Sequence, residues 1–270
     1  MPQRPQRPKL GQNFLVSPSA RQAIADALGD VSERTVVEIG PGRGAITSIL
    51  ARRAQHLIAI ELDRELAPRL RAAFADQPSV EILEQDVLTT DFSTLAANSA
   101  APKSKLFVVG NLPYYITSDI LLHLFRYHQA IERAVVMIQR EVAERIAAHP
   151  GTSDYGLLSA TAQMYARVEK LLTLPPEAFS PPPQVYSTVL RLTMAPRFDE
   201  LQVAADEFLP FLRTCFAQKR KMLRKNLRVA GYEPDRINSA FEACKIPEQS
   251  RAEELELPVM ACLFRQLRQG

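Results

Sequence analysis

From Thr35 onward the chain alternates short apolar runs with amphipathic stretches, and that alternation restricts it to one broad class of fold. Residues 36–39, 57–60, 80–83, 106–109 and 134–138 each read as a short strand buried on both faces. Residues 45–53, 64–75 and 118–125 read as intervening helices, the last with Ser118 as its N-cap. Strands that alternate with helices pair in parallel through right-handed crossovers, which gives an α/β, doubly wound, Rossmann-like sheet. Ligands of such sheets bind beyond the carboxyl ends of the strands, so chemistry is expected in the residues just after each apolar run.

The pattern changes near Leu172. Pro175, Pro176, Pro181, Pro182 and Pro183 exclude a helix, and the alternation over 185–192 predicts a strand. Beyond Pro196 the signal is helical, because Phe208, Phe211, Leu212, Cys215 and Phe216 form one apolar stripe. Directly behind it, Lys219, Arg220, Lys221, Arg224, Lys225 and Arg228 put six positive charges into ten residues with no acid, read as three further turns of helix. Gly231 closes that unit, and 236–244 and 259–267 offer two more helices. The expected division is therefore an α/β domain over 1–195, with 1–10 as a flexible basic arm, and a small all-helical domain over 196–270.

Charge follows the same division. Lys and Arg number 33 against 30 Asp and Glu, a net +3, yet residues 1–190 hold 19 of each, so the surplus lies wholly in the tail. Without the six charges of 219–228 the remainder is 3 − 6 = −3. An acidic body with one dense basic patch suits a polyanion, and the patch is expected to contact nucleic-acid phosphates. No apolar run approaches the roughly 20 residues of a bilayer span, so no membrane association is expected. Cys215, Cys244 and Cys262 are too few and too widely spaced for a disulfide framework or zinc site, which points to a reducing cytoplasm and no metal.

The strand ends supply a nucleoside site. The first strand runs into Gly40-Pro41-Gly42-Arg43-Gly44, a turn where backbone can approach a ligand closely, although a purely structural turn is as common. Glu61 ends the second strand, where a carboxylate can accept both ribose hydroxyls. Asp86 comes after the third and can accept from an exocyclic amine, its plainer role being a turn cap. No G-K-[ST] is present, so adenosine without pyrophosphate is the better fit. The fourth strand ends in Asn111-Leu112-Pro113-Tyr114. A purine exocyclic amine is a poor nucleophile because its lone pair is delocalised into the ring. Two acceptors on its N–H groups, the Asn111 side-chain oxygen and the Leu112 carbonyl, would favour a pyramidal nitrogen aimed at an electrophile. Pro113 stiffens that backbone and Tyr114 offers a stacking face.

These residues resemble the small-subunit (16S) ribosomal RNA adenine N6-dimethyltransferases, the KsgA family of bacteria. The likeness runs from Lys9-Leu10-Gly11-Gln12-Asn13-Phe14-Leu15 through the four strand-end motifs to Tyr155-Gly156-Leu157-Leu158-Ser159, Phe179-Ser180-Pro181-Pro182-Pro183-Gln184-Val185-Tyr186-Ser187 and Arg251-Ala252-Glu253-Glu254-Leu255. It implies a class I S-adenosylmethionine-dependent methyltransferase fold, with that cofactor held by Gln12, Asn13, Leu15, Gly40, Gly42, Glu61, Asp86 and Asn111. The target adenine would lie against Asn111, Leu112, Pro113 and Tyr114, with Phe179 stacked on its other face. The implied substrate is a pair of adjacent adenosines in the 3′-terminal hairpin loop of 16S rRNA, dimethylated within an assembling small subunit by a cytoplasmic enzyme expected to be monomeric. Gln184 stands where many relatives carry lysine, which puts one local RNA contact in doubt. The erythromycin-resistance methyltransferases share Asn13-Phe14-Leu15 and Asn111 but modify large-subunit RNA, and the proline-rich and 251–255 segments resemble them less. Intact Gly40, Glu61, Asp86 and Asn111 also argue against a non-catalytic binding protein on this fold.

Overall fold

A computed structural model describes residues 13–99, 104–218 and 221–268. The arm at 1–10, Gln12, Lys219 and Arg220 lie outside them. In chain order the strands are β1 (Phe14–Leu15), β2 (Thr35–Ile39), β3 (His56–Glu61), β4 (Val80–Glu84), β5 (Leu106–Asn111), β6 (Ile131–Gln139), β7 (Ala166–Leu174), β8 (Phe179–Ser180) and β9 (Ser187–Met194). The five apolar runs are β2 to β6, and β9 is the alternating stretch.

One sheet runs in the order β4-β3-β2-β5-β6-β9-β7. β2 to β6 pair in parallel, and β9 joins antiparallel to β6 from Arg133↔Thr193 to Gln139↔Ser187. β2 and β3 are near-continuously buried, as expected of parallel strands covered on both faces. At every second position Val36, Phe107, Val109, Val135 and Met137 pack with Ile24 and Ala25 of the helix Pro18–Ala27. Burial contributes about 1.5–3 kcal/mol for each large apolar side chain. Ser17 caps that helix by accepting the Ala20 N–H, and Pro18 occupies its first turn. Strand order reverses between β2 and β5, which places the crevice of the sheet there. A side chain at Gly110 would bring its Cβ within 2.8 Å of the Ile39 carbonyl oxygen, so only glycine lets the two strands close at that crevice.

Several expectations are corrected. The helix expected after Ser118 runs over Thr117–Arg126, and the exposed Ser118 is not its cap. The Thr117 hydroxyl instead donates to the Pro113 carbonyl at 3.0 Å, tying the helix to the turn after β5. The chain divides into two compact units, one up to Ala143 plus Glu169–Met194, the other Glu144–Val168 plus the chain from Ala195. Residues 144–168, assigned by sequence to the first domain, therefore belong with the tail. The cause is aromatic packing: Tyr155 meets Phe216 (ring centroids 6.0 Å) and Tyr165 meets Phe198 (5.1 Å).

The basic block does not continue the preceding helix. Ala205–Cys215 ends, and a separate helix, Leu223–Val229, comes next. Asn226 is buried and donates its amide to the Cys215 carbonyl at 2.6 Å, so the second helix folds back onto the end of the first. The expectation of unpaired cysteines is corrected for two of the three. Cys244 caps the helix Pro234–Ala243, Cys262 lies on Leu257–Arg268, and packing of these helices brings their Cα atoms to 6.0 Å in a disulfide. Among the described residues no helix is long and apolar enough to cross a membrane.

Candidate active site

A cavity of about 660 Å³ opens at the β2/β5 crevice. Asn13, Leu15, Gly40, Gly42, Glu61, Asp86, Asn111, Leu112, Pro113 and Tyr114 all line it, so each described residue singled out at the strand ends and the amino-terminal motif converges there. Phe179 does not. It is 3 % exposed and sits in the core beside Leu15, its partner across the short β1–β8 ladder. Pairing that buries Leu15 buries the ring opposite it, so Phe179 packs in the core here, and the aromatic residues that line the cavity are Phe14, Tyr114 and Tyr115.

The loop after β2 is held by Glu61. One carboxylate oxygen accepts the Gly42 N–H at 3.0 Å and the other the Asp63 N–H at 2.9 Å. Gly40, Gly42 and Gly44 all adopt positive φ, and a Cβ at Gly42 would press to 3.0 Å from the Phe14 ring. Phe14 is itself covered by the Arg43 guanidinium at 4.4 Å, a cation–π contact that closes loop and amino-terminal segment together. Asp86 does act as a cap, accepting the Leu88 N–H at 2.9 Å, while still forming part of the wall.

Asn111 is oriented by a contact 98 residues distant in sequence: its amide nitrogen donates to the Asn13 carbonyl at 2.9 Å. That bond commits the nitrogen and leaves Oδ1 as the end of the amide available to an incoming N–H. The Leu112 N–H is bonded to the Met137 carbonyl at 3.0 Å, which fixes the adjacent peptide. The Tyr114 hydroxyl lies 2.7 Å from Ser187 Oγ on β9, and burial pushes its pKa up, so the ring is anchored and neutral.

Sequence reasoning passes over Glu38. A carboxylate inside the apolar run of β2 is itself the signal, and this one is 2 % exposed, lines the cavity and leaves Oε2 without a hydrogen-bond partner. Burial pushes its pKa up to about 7; Thr47 pulls it part-way back without closing a strict hydrogen bond to Oε2, and Glu61 adds repulsion. The pKa in the fold exceeds that of the unfolded chain, so the associated stability is complete below about pH 4.5 and is lost as pH rises through about 7. The free protein should lose about 3 kcal/mol over that window from this group. Glu38→Gln should flatten the profile of melting temperature against pH; an unaltered slope would remove Glu38 as its cause.

The site fits S-adenosylmethionine on its own chemistry. Glu38, Glu61 and Asp86 match a cationic ligand rich in hydroxyl and amine donors, and the volume lies in the ordinary range for cofactor pockets.

The basic residues form a different picture from the one sequence suggests. Lys221, Lys225 and Arg228 are exposed. Arg224 is half-buried: it donates to Asn238 at 2.8 Å, pairs with Glu248 at 3.4 Å and lies over the Phe241 ring at 5.7 Å. It holds the helices together rather than projecting from them.

Known proteins match this architecture and its sequence. The family model described as "Ribosomal RNA adenine dimethylase" matches residues 4–268. The chain is 64 % identical to "Ribosomal RNA small subunit methyltransferase A" of Acidobacterium capsulatum, over 97 % of this chain and 91 % of the relative. It is 53 % identical to the protein of the same description from Koribacter versatilis, over 97 % and 94 %. Among solved structures, a dimethyladenosine transferase from Plasmodium falciparum superposes with a TM-score of 0.78 at 25 % identity, covering 93 % of this chain and 95 % of that one. The 23S rRNA methyltransferase ErmE superposes with 0.71 at 25 %, covering 95 % and 100 %.

Proposed function

Because the chain belongs to the ribosomal RNA adenine dimethylase family and is an S-adenosylmethionine-dependent methyltransferase, we propose that it dimethylates N6 of two adjacent adenosines in the 3′-terminal hairpin loop of 16S rRNA. The substrate would be the assembling small subunit, met in the cytoplasm by a monomer. The Asn111 amide carries the chemical part of this reading: with its nitrogen bonded to Asn13, its oxygen is left to accept from an exocyclic amine. The small-subunit target is supported by the names of the relatives at 64 % and 53 % identity, since likeness of fold extends to a large-subunit enzyme.

When bound, S-adenosylmethionine supplies an electrophilic methyl group on a positively charged sulfur. Glu61 would take the ribose hydroxyls and Asp86 the cofactor's adenine amine, with Gly40 and Gly42 allowing backbone to approach. A loop adenosine splays out of its stack at lower cost than a paired one, and Tyr114 would receive its face. Asn111 Oδ1 and the Leu112 carbonyl would then accept its N6–H groups, drawing the nitrogen lone pair out of conjugation towards the methyl. Labelled S-adenosylmethionine offered with unmodified small subunits, large subunits, naked RNA and DNA tests the assignment. Label in small-subunit adenosines is expected, and label confined to large subunits would overturn it.

Lys221, Lys225 and Arg228 would contact phosphates. Their combined replacement by Gln should weaken subunit binding and lower the slope of log affinity against log salt by about one for each phosphate no longer neutralised. An unchanged slope would exclude them from the interface. Arg224 is left out of this variant because its replacement would also loosen the helices.

A further inference from the structure

We propose that Tyr115 is a stacking platform for the RNA base next to the target adenosine, an inference that rests on the substrate class proposed above. The residue lines the same cavity as Tyr114, yet it is 65 % exposed and stands at the mouth. Among the described residues no ring or guanidinium covers it, in contrast to Tyr186, which is also exposed but lies against the Arg140 guanidinium at 5.0 Å. A large ring left in water beside a reactive crevice contributes little to folding, so its surface is free to meet a ligand.

The residues on either side of it are hydrogen-bonded in place. The Ile116 N–H donates to the Pro113 carbonyl at 3.3 Å, the Thr117 hydroxyl donates to the Pro113 carbonyl at 3.0 Å, and Tyr114 is anchored to Ser187 at 2.7 Å. Tyr115 thus projects from a fixed turn and loses only two side-chain torsions on ordering, which favours a stacking contact. Successive tyrosines differ in exposure for a physical reason: the inner ring is held for the base inserted in the cavity, and the outer ring is offered to what cannot enter. In single-stranded RNA the group tethered nearest to an extruded base is the neighbouring base, whose face stacks on an aromatic side chain whatever its identity. When two adjacent adenosines are modified, each would take its turn on the platform while the other occupies the cavity.

The test measures kcat and KM on unmodified small subunits for the wild type, Tyr115→Ala and Tyr115→Trp, with a parallel series in which the neighbouring nucleotide is abasic. Tyr115→Ala should raise KM roughly tenfold with kcat nearly unchanged, and Tyr115→Trp should restore it. On the abasic substrate wild type and Tyr115→Ala should converge, an outcome that a merely structural defect would not give. A wild-type KM for Tyr115→Ala, or an equal penalty on intact and abasic substrates, overturns the platform. Failure of the wild type itself to label small subunits would instead bring down the underlying substrate assignment.

Discussion

Asn111→Ala should reduce the rate of methyl transfer at saturating cofactor and RNA by at least about 10²–10³-fold, the usual cost of deleting one preorganised polar contact to a reacting centre. The side chain has two jobs in one amide. Its nitrogen is bound to the Asn13 carbonyl at 2.9 Å, so its oxygen is aimed before any substrate arrives, and no reorganisation is needed during the reaction. Alanine removes the acceptor and also leaves the Asn13 carbonyl without that donor. Asn111→Asp separates these effects, because a carboxylate keeps an acceptor for N6–H but cannot donate to Asn13 and is repelled by its carbonyl. The aspartate variant should therefore recover only part of the rate. Single-turnover measurement with preloaded cofactor is the appropriate readout, and wild-type turnover in Asn111→Ala would remove the residue from the chemistry.

The parts of this site that are legible in sequence share a property: they are local. A glycine turn, Glu61, Asp86 and Asn111 each come within three residues of the end of an apolar run, and parallel pairing such as Ile39↔Gly110 brings the ends of those runs together without further information. The bond between Asn111 and Asn13 spans 98 residues and leaves no local trace. β1 and β8 are two residues each, too short for any periodicity to register, yet their pairing is what buries Phe179 beside Leu15 and away from the lining of the cavity. The basic run reads as continuous helix because charge density conceals a break, although Asn226 inside it is the uncharged polar residue that turns inward and donates to the buried Cys215 carbonyl. Residues 144–168 escape the sequence reading for a related reason, since Tyr155 and Tyr165 find their aromatic partners in the tail.

Glu61→Ala should weaken cofactor binding by about 100-fold or more while leaving the protein folded. Two losses add. The ribose loses a charged acceptor, and the N–H groups of Gly42 and Asp63 lose the oxygens that now lie 3.0 and 2.9 Å away. Hydrogen bonds to a charged group contribute about 1.5–3 kcal/mol each, so loss of the two made to the ribose hydroxyls corresponds to at least two powers of ten in affinity, whereas the two N–H bonds exist without ligand and act only through the shape of the loop. The loop would be affected as much as the ligand, because Gly42 is held at φ +59° against the Phe14 ring and Glu61 is what fastens that peptide to β3. Glu61→Gln keeps the volume but can present only one carbonyl oxygen to the two N–H groups, and should fall between wild type and alanine. Calorimetric titration with S-adenosylmethionine, compared with thermal melts of the free proteins, separates a defect in ligand binding from a defect in folding. An alanine variant that bound within threefold of wild type would show that the carboxylate serves only the turn, and the ribose would then have to be held from elsewhere in the cavity.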